Sequence, residues 1–394
     1  MARQILTLNQ ISIKGLERLP RDCYEIASEF SHPDAILLRS HKLQADDIAD
    51  SVLAIGRAGA GVNNIPVEQC TRRGIPVFNS PGANANAVKE LVATALLLGS
   101  RGIIEGIRYV DTLAQIQDPA ELHKTLEAHK KQFKGSELIG KTLGVVGLGA
   151  IGSMVAEMAL TLGMKVIGYD PALSVEAAWR LSSQVTKADT LSALFARSDY
   201  ISLHLPVLDS TRNLVNAELL GAVRPGTCLL NFARQEIVDE EALIEALSGD
   251  KLRAYIADFP SPDLIGRDDV ILMPHIGAST EEAEENCAIM AAEQLRDFLE
   301  NGNIRNSVNL PNLQLERVTG CRLSVTNENV PKILGSVLSI MADENINVID
   351  MLNKSRDGVA YNLIDIETHV ADHVLEQIRA LEGVINVRLI GDCA

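Results

Sequence analysis

Lys141 to Asp170 reads KTLGVVGLGAIGSMVAEMALTLGMKVIGYD. A short apolar strand, Leu143 to Val146, runs into Gly147-Leu148-Gly149-Ala150-Ile151-Gly152, the spacing of a dinucleotide fingerprint. Alone, that spacing is a weak signal. Here Ile151, Val155, Met158, Ala159 and Leu162 fall on one helical face, and a second apolar strand, Lys165 to Tyr169, follows. The stretch therefore reads as a βαβ unit. Gly147 permits the tight turn, Gly149 leaves room for a pyrophosphate against the backbone, and Gly152 lets helix and strand pack closely. The phosphates then meet free helix N–H groups, those of Ala150 and Ile151 among them. Asp170 ends the second strand at the spacing of a ribose-binding acid. A carboxylate there accepts from the adenosine ribose and repels a 2′-phosphate, which favours NAD over NADP.

Around this unit the composition is that of an ordinary globular chain, but 394 residues are too many for one core, so two or three domains are expected. A formal net charge of −16 argues against a nucleic-acid or membrane-surface role while leaving room for a local basic pocket. Cys23, Cys70, Cys228, Cys287, Cys321 and Cys393 form no CxxC pair. They suggest neither a zinc site nor a disulfide framework, and read as reduced thiols of a cytoplasmic protein. No metal is expected. The first residues, MARQILTLNQ, lack a signal-peptide core, and no apolar run is long enough to cross a bilayer.

Upstream, the runs Ile5-Leu8, Ala35-Leu38, Val52-Ile55 and Pro76-Phe78 alternate with polar segments, a second α/β pattern. One run ends in Arg39-Ser40 and another in Arg57-Ala58-Gly59-Ala60-Gly61-Val62-Asn63-Asn64. Gly59 and Gly61 free the backbone to bring N–H groups near an anion, and Arg39 and Arg57 can supply positive charge. Asn79 to Asn86 is turn-rich and marks a boundary or hinge. The segment from Ile116 to Lys134 is polar and charged, as a solvated helix or linker would be.

Downstream, strands Tyr200-Leu203, Thr227-Phe232, Leu252-Ala257 and Val270-Met273 lead to His204, Arg234, Asp258 and His275. Together with Asp170, these residues should border one crevice, because all carboxyl ends of a doubly wound parallel sheet open on one edge. Ser279 to Asn301 reads as a long acidic helix. After Pro311 the order becomes βαββαβ, a small ferredoxin-like domain. A bound NAD beside an arginine and a histidine points to hydride transfer at a carbinol carbon. His275 has the intrinsic pKa of a base for the hydroxyl proton, and Arg234 can hold a carboxylate bidentately.

GLGAIG with Tyr169-Asp170, His204-Leu205-Pro206, Asn231-Phe232-Ala233-Arg234 and Pro274-His275-Ile276-Gly277-Ala278-Ser279-Thr280 together resemble the NAD-dependent D-2-hydroxyacid dehydrogenases. Leu38-Arg39-Ser40, Gly59-Ala60-Gly61-Val62-Asn63 and the small C-terminal domain are similar to the short form of that family bearing an ACT domain. The resemblance covers nearly the whole chain. It implies two Rossmann-like doubly wound domains, one of them discontinuous, and four segments: substrate domain 1–84, NAD-binding domain 85–278, substrate domain resumed 279–310, and ACT-type domain 311–394. It also implies hinge closure of the first two domains around the substrate.

The implied reaction is oxidation of a phosphorylated hydroxy acid, 3-phospho-D-glycerate, as the entry to L-serine synthesis. Another D-2-hydroxy acid such as 2-hydroxyglutarate, or a non-catalytic NAD-binding scaffold, are the competing readings. His275 becomes the acid/base and Arg234 the substrate anchor. His204, Pro206, Ala233, Asp258 and Gly277 join the fingerprint in holding the cofactor. Arg39, Ser40, Arg57 and Asn84 contact the substrate, with Ala60, Gly61, Val62 and Asn63 at its carboxylate. The resemblance implies a dimer, and a tetramer where ACT-like sheets pair. Two departures stand out. The family glutamate that supports the histidine is expected at Pro262; either Asp263, one residue later, reaches His275 or the histidine works without a carboxylate. In the ACT-like domain Asn327, Asn329 and Asn347 stand at the positions of an L-serine effector site, but the usual Pro-Gly reads Pro331-Lys332 and the usual histidine reads Asn327.

Overall fold

Three sheets organise the chain, and the apolar runs explain their order. The computed structural model describes residues 2–317 and 321–391; Cys393 lies outside them. The first sheet contains β1 (Arg3–Leu8), β2 (Tyr24–Ala27), β3 (Ala35–Leu38), β4 (Ala54–Arg57) and β5 (Val77–Phe78), all parallel in the order β2-β1-β3-β4-β5. Its central strand β3, AILL, is buried at every residue, as a strand covered on both faces must be. The edge strand β2 has no such run, and sequence alone passes over it.

The second sheet contains β6 (Thr142–Val146), β7 (Lys165–Tyr169), β8 (Thr186–Lys187), β9 (Tyr200–Leu203), β10 (Thr227–Asn231), β11 (Leu252–Ala257) and β12 (Val270–Leu272). They are parallel in the order β12-β11-β10-β9-β6-β7-β8. From β6 the chain winds one way to β7 and β8, then crosses back to β9 and on to β12. The switch point therefore lies between β6 and β9, where an open α/β sheet leaves its ligand crevice.

The third sheet contains β13 (Cys321–Glu328), β14 (Val348–Arg356), β15 (Val359–Ile366) and β16 (Val384–Ile390), antiparallel in the order β14-β15-β13-β16. With helices Ile333–Asp343 and Asp372–Arg379 this is the expected βαββαβ ferredoxin-like arrangement. Lys332, at the glycine position of the family loop, has φ +81°. A lysine in this left-handed conformation costs roughly 1–2 kcal/mol, which the usual glycine would not.

The chain forms two compact units, 1–84 with 281–394, and 85–280. Sequence reading puts the corresponding breaks at 84/85 and 278/279. Helix Glu281–Asn301 is the keystone of the first unit. Leu295, Phe298 and Leu299 share one core with Leu37, Ala54 and Phe78 of the first sheet and with Tyr361, Leu363 and Ile390 of the third. The third sheet is thus covered on one face by this core. On the other face Leu323, Val325, Ile364 and Ile366 pack with Val337, Met341 and Ile378 of its own helices. In the second unit, Val145, Leu143 and Leu230 pack with Val155, Ala156 and Ala159 of helix Ala150–Thr161. Among the described residues no helix is long and apolar enough to cross a membrane.

Candidate active site

The carboxyl edge of the second sheet carries the fingerprint. Gly147 has φ +88°, and a Cβ there would lie 2.4 Å from the His204 carbonyl oxygen, so neither the conformation nor the space admits a side chain. At Gly152 an added Cβ would lie 1.9 Å from the Gly147 carbonyl oxygen. Over Gly149 nothing stands within 4 Å, and helix Ala150–Thr161 begins there with no side-chain cap. An open, uncapped helix N-terminus suits a pyrophosphate. Asp170 accepts the Leu148 and Ala172 N–H groups, each at 2.9 Å, and so ties the glycine loop to the end of β7. Both its oxygens keep a lone pair for a ribose hydroxyl. Beside it lies a cavity of about 520 Å³ lined by Leu148, Tyr169, Asp170, Leu173, Leu181 and Lys187. These residues fit a dinucleotide.

His204 follows β9 at the switch point. Its Nε2 lies 2.9 Å from Ser202 Oγ, while Nδ1 is buried without a partner among the described residues. Burial holds the imidazole down to about 3, so it is neutral in the folded chain. In the unfolded chain it binds a proton near the ordinary histidine value of 6.5. The contribution to stability is therefore whole above pH 6.5 and is lost as pH falls from 6.5 toward 3, by up to about 1.4 kcal/mol per unit. Urea denaturation at pH 7 and pH 4.5 should show His204→Asn losing less stability on acidification than the parent. Equal losses would place the acid sensitivity elsewhere. Pro206 is exposed in the loop after His204.

Arg234 and His275 leave the same sheet edge. Asn231, buried at the end of β10, donates to the Arg234 carbonyl at 2.9 Å and accepts from the Ala233 N–H at 3.2 Å, which fixes the turn. Its amide also meets the Tyr255 hydroxyl at 3.2 Å, and burial raises that phenol's pKa. The Arg234 side chain is exposed, with Nη1 on the Ala233 carbonyl at 2.6 Å. His275 has φ +58°. Asp258 holds the loop by accepting the Ile276 and Gly277 N–H groups at 2.8 and 2.6 Å. A Cβ on Gly277 would come within 2.9 Å of Asp258 Oδ2. The His275 ring packs on Phe259, with centroids 4.9 Å apart and planes at 57°. Asp263 stands exposed in the turn after Ser261, and among the described residues no hydrogen bond or ion pair joins it to His275. Neither Phe259 as a neighbour nor Asp258 as a clamp is readable from spacing.

The first unit carries the other predicted group. Arg57 Nε donates to the Arg39 carbonyl at 3.1 Å, and Asn64 donates to the same oxygen at 3.1 Å. Gly59 has φ +145°, with the Arg57 guanidinium lying where a Cβ would stand. The loop is anchored by Asn79, which donates to the Ala60 carbonyl at 2.6 Å. Among the described residues, the N–H groups of Ala60, Gly61, Val62 and Asn63 donate to no acceptor of the protein. Open backbone donors of this kind are what an anion needs. The Ser40 N–H donates to Asn9 Oδ1 at 3.1 Å, and Asn84 closes a turn after Pro81. Arg39 Nη2 lies 2.6 Å from Glu284 Oε1.

In the third sheet Asn327 is buried, accepting from Asn362 at 2.7 Å and donating to the Glu328 carbonyl at 2.7 Å. Asn329 and Asn347 are exposed, donating to the Asp357 carbonyl and to Glu367, each at 3.2 Å. Within one chain, Asn327 pairs opposite Ala360 at one end of β15, and Asn347 lies beyond its other end.

Residues 108–277 match the family described as D-isomer specific 2-hydroxyacid dehydrogenase, NAD binding domain. The chain is 34% identical over 371 residues to D-3-phosphoglycerate dehydrogenase of Escherichia coli strain K12, covering 90% of this chain and 86% of that protein. It is 35% identical over 337 residues to D-3-phosphoglycerate dehydrogenase of Methanocaldococcus jannaschii, covering 83% of this chain but only 61% of that longer protein. Among solved structures, the NAD+-bound 3-phosphoglycerate dehydrogenase of Entamoeba histolytica superposes with a TM-score of 0.61 at 29% identity, covering 78% of this chain and 99% of that one. With the glycine loop, Asp170 and the strand-end residues arranged as above, the chain belongs to the D-isomer specific 2-hydroxyacid dehydrogenase family and carries that family's NAD binding domain.

Proposed function

We propose that the chain oxidises 3-phospho-D-glycerate to 3-phosphohydroxypyruvate with NAD, the first step of L-serine synthesis. The observation that carries this reading is a second group of cations and backbone donors, in the first unit. Arg39 and Arg57, bonded together beside four open N–H groups, supply cationic and donor groups in the first unit in addition to Arg234 in the second. A substrate with a carboxylate and a phosphate uses such groups; one with a single anionic end does not. Likeness to phosphoglycerate dehydrogenases over most of the chain supports the same substrate.

NAD, when bound, would supply the acceptor for the hydride of the carbinol carbon. His275 takes the hydroxyl proton on its imidazole, and Arg234 stabilises negative charge on the reacting oxygen and holds the carboxylate. Asp263 meets His275 once substrate is bound, since catalytic hydrogen bonds left long in the free enzyme tighten in the complex. The segments 1–84 and 279–310 serve the substrate, 85–278 the cofactor, and 311–394 acts as an ACT-type regulatory domain. Asn329 and Asn347, whose side chains are exposed, bind L-serine there with Asn327. A homodimer forms through the NAD-binding segment. Its support is the exposed apolar stripe Ile103, Ile107 and Val110 on helix Ile103–Thr112. Edge strand β14, with most of its residues exposed, suits pairing into a tetramer. The compartment is the cytoplasm, in keeping with the free thiols of Cys70, Cys228, Cys287 and Cys321. Burial pushes the Cys70 thiol up to about 11 and Cys228 up to about 12.

The test is NAD reduction with 3-phosphoglycerate, 2-hydroxyglutarate and D-glycerate, with and without L-serine. The largest kcat/KM is expected for phosphoglycerate, with inhibition by serine. A larger value for 2-hydroxyglutarate would reassign the substrate, and no turnover would make the chain a scaffold. Arg39→Ala should raise KM for phosphoglycerate about tenfold to hundredfold, the loss of one charge-assisted hydrogen bond, and leave D-glycerate little affected.

A further inference from the structure

Arg39 is already engaged. Its guanidinium meets Glu284 at 2.6 Å, and the two line a cleft of about 610 Å³ together with Ser12, Lys14 and Glu285. Glu284 lies in the first turns of helix Glu281–Asn301, where acids favour the helix dipole. Glu281 and Glu282 already serve that purpose. Glu285, next along, pairs with Lys14 at 2.6 Å. Glu284 is therefore the carboxylate that reaches the arginine assigned to the substrate's phosphate, although 245 residues separate them in sequence.

We propose that Glu284 is an internal competitor for the phosphate end of the substrate, so that it sets the affinity and specificity of the Arg39 site. The proposal rests on the reading that Arg39 binds that phosphate. In the free protein the carboxylate neutralises Arg39 and occupies a guanidinium edge that an incoming phosphate needs. Binding exchanges one anion for another. Both partners of the ion pair are about two-fifths exposed, so the pair is weak enough to be opened by a dianion. A substrate without the second anion leaves the pair closed and gains nothing from Arg39. Glu284 thereby raises the KM of phosphorylated substrates while leaving unphosphorylated ones unaffected.

The experiment measures KM and kcat for 3-phosphoglycerate and D-glycerate in the full chain, in Glu284→Gln, in Arg39→Ala and in the double variant. Glu284→Gln should lower KM for phosphoglycerate about threefold to fivefold, the range of a removed exposed ion pair, with kcat and the glycerate KM unchanged. The gain should vanish in the Arg39→Ala background. A KM for phosphoglycerate that stays the same or rises in Glu284→Gln would overturn the proposal, as would an equal change for glycerate or a gain that survives without Arg39. If Arg39→Ala alone leaves the phosphoglycerate KM unmoved, the reading of Arg39 itself has failed. Calorimetric titration with inorganic phosphate covers the case of no turnover. Tighter binding in Glu284→Gln and none in Arg39→Ala supports the competitor, and equal binding in all forms overturns it.

Discussion

His275→Gln is expected to cut kcat for phosphoglycerate oxidation by about 10²- to 10⁴-fold, the usual contribution of a positioned acid/base, with little change in NAD binding by calorimetry. Three features of the structure make the effect large. The residue follows the last strand of the sheet that carries the cofactor fingerprint and leaves it at the carboxyl edge, where an open α/β sheet opens its ligand crevice. Its backbone is held at φ +58°, a conformation costing about 1–2 kcal/mol for a non-glycine residue. Asp258 offsets that cost by accepting two successive N–H groups of the loop. Its ring rests on Phe259. A residue held this way is committed to one placement, and glutamine keeps the size but not the titration. A kcat within threefold of the parent would remove His275 from the chemistry. Asp263→Asn separates the supports of the ring. If Asp263 reaches His275 in the complex, losing its charge removes the imidazole's counter-charge, and the acid limb of kcat/KM moves to lower pH. An unmoved limb leaves Phe259 as the ring's support.

What could be read from the chain beforehand was local or periodic. The fingerprint works through neighbours: Gly147, Gly149, Gly152 and Asp170 lie within one βαβ unit, and their spacing alone implies the turn, the open helix end and the carboxylate. Strand ends converge because a parallel sheet forces them to, so Arg234, Asp258 and His275 could be assigned to one edge before any coordinate. Short edge strands escape such reading. β2 and β8 contain four and two residues and carry no apolar run to betray them. The side-chain pairings of Arg39 and of His275 also escape, for another reason. Arg39 with Glu284 joins segments 245 residues apart, and Phe259 meets His275 only because β11 and β12 are neighbours. Pattern shows which elements form. It does not show which side chain of one element meets which of another.

Arg322 is such a pairing, and it bears the second large effect. Sequence places it at the start of a strand, where an arginine is ordinarily solvated. In the structure it is fully buried between the third sheet and the end of helix Glu281–Asn301. Nε and Nη2 meet Asp365 at 2.6 and 2.7 Å, a bidentate pair. The remaining donors go to the Asn301 and Leu315 carbonyls at 2.9 Å and to Glu316 at 3.2 Å. Every donor is thus used, and the carbonyls it meets belong to the segment that links the helix to β13. Arg322→Met should destabilise the first unit by about 3–5 kcal/mol, because it leaves a buried carboxylate without its counter-charge and three carbonyls without a donor. Urea denaturation measures the loss. Hydrogen exchange should place it in 281–391, while NAD binding by the 85–280 unit persists. Adding Asp365→Leu to Arg322→Met should recover part of the stability, since the uncompensated charge is gone, but not all, since the carbonyls remain unpaired. A single variant that loses less than about 1 kcal/mol would show that the pair contributes no more than an exposed ion pair. The double variant matters most for interpretation. Recovery locates the penalty in the stranded carboxylate, whereas no recovery locates it in the lost clamp on the linker.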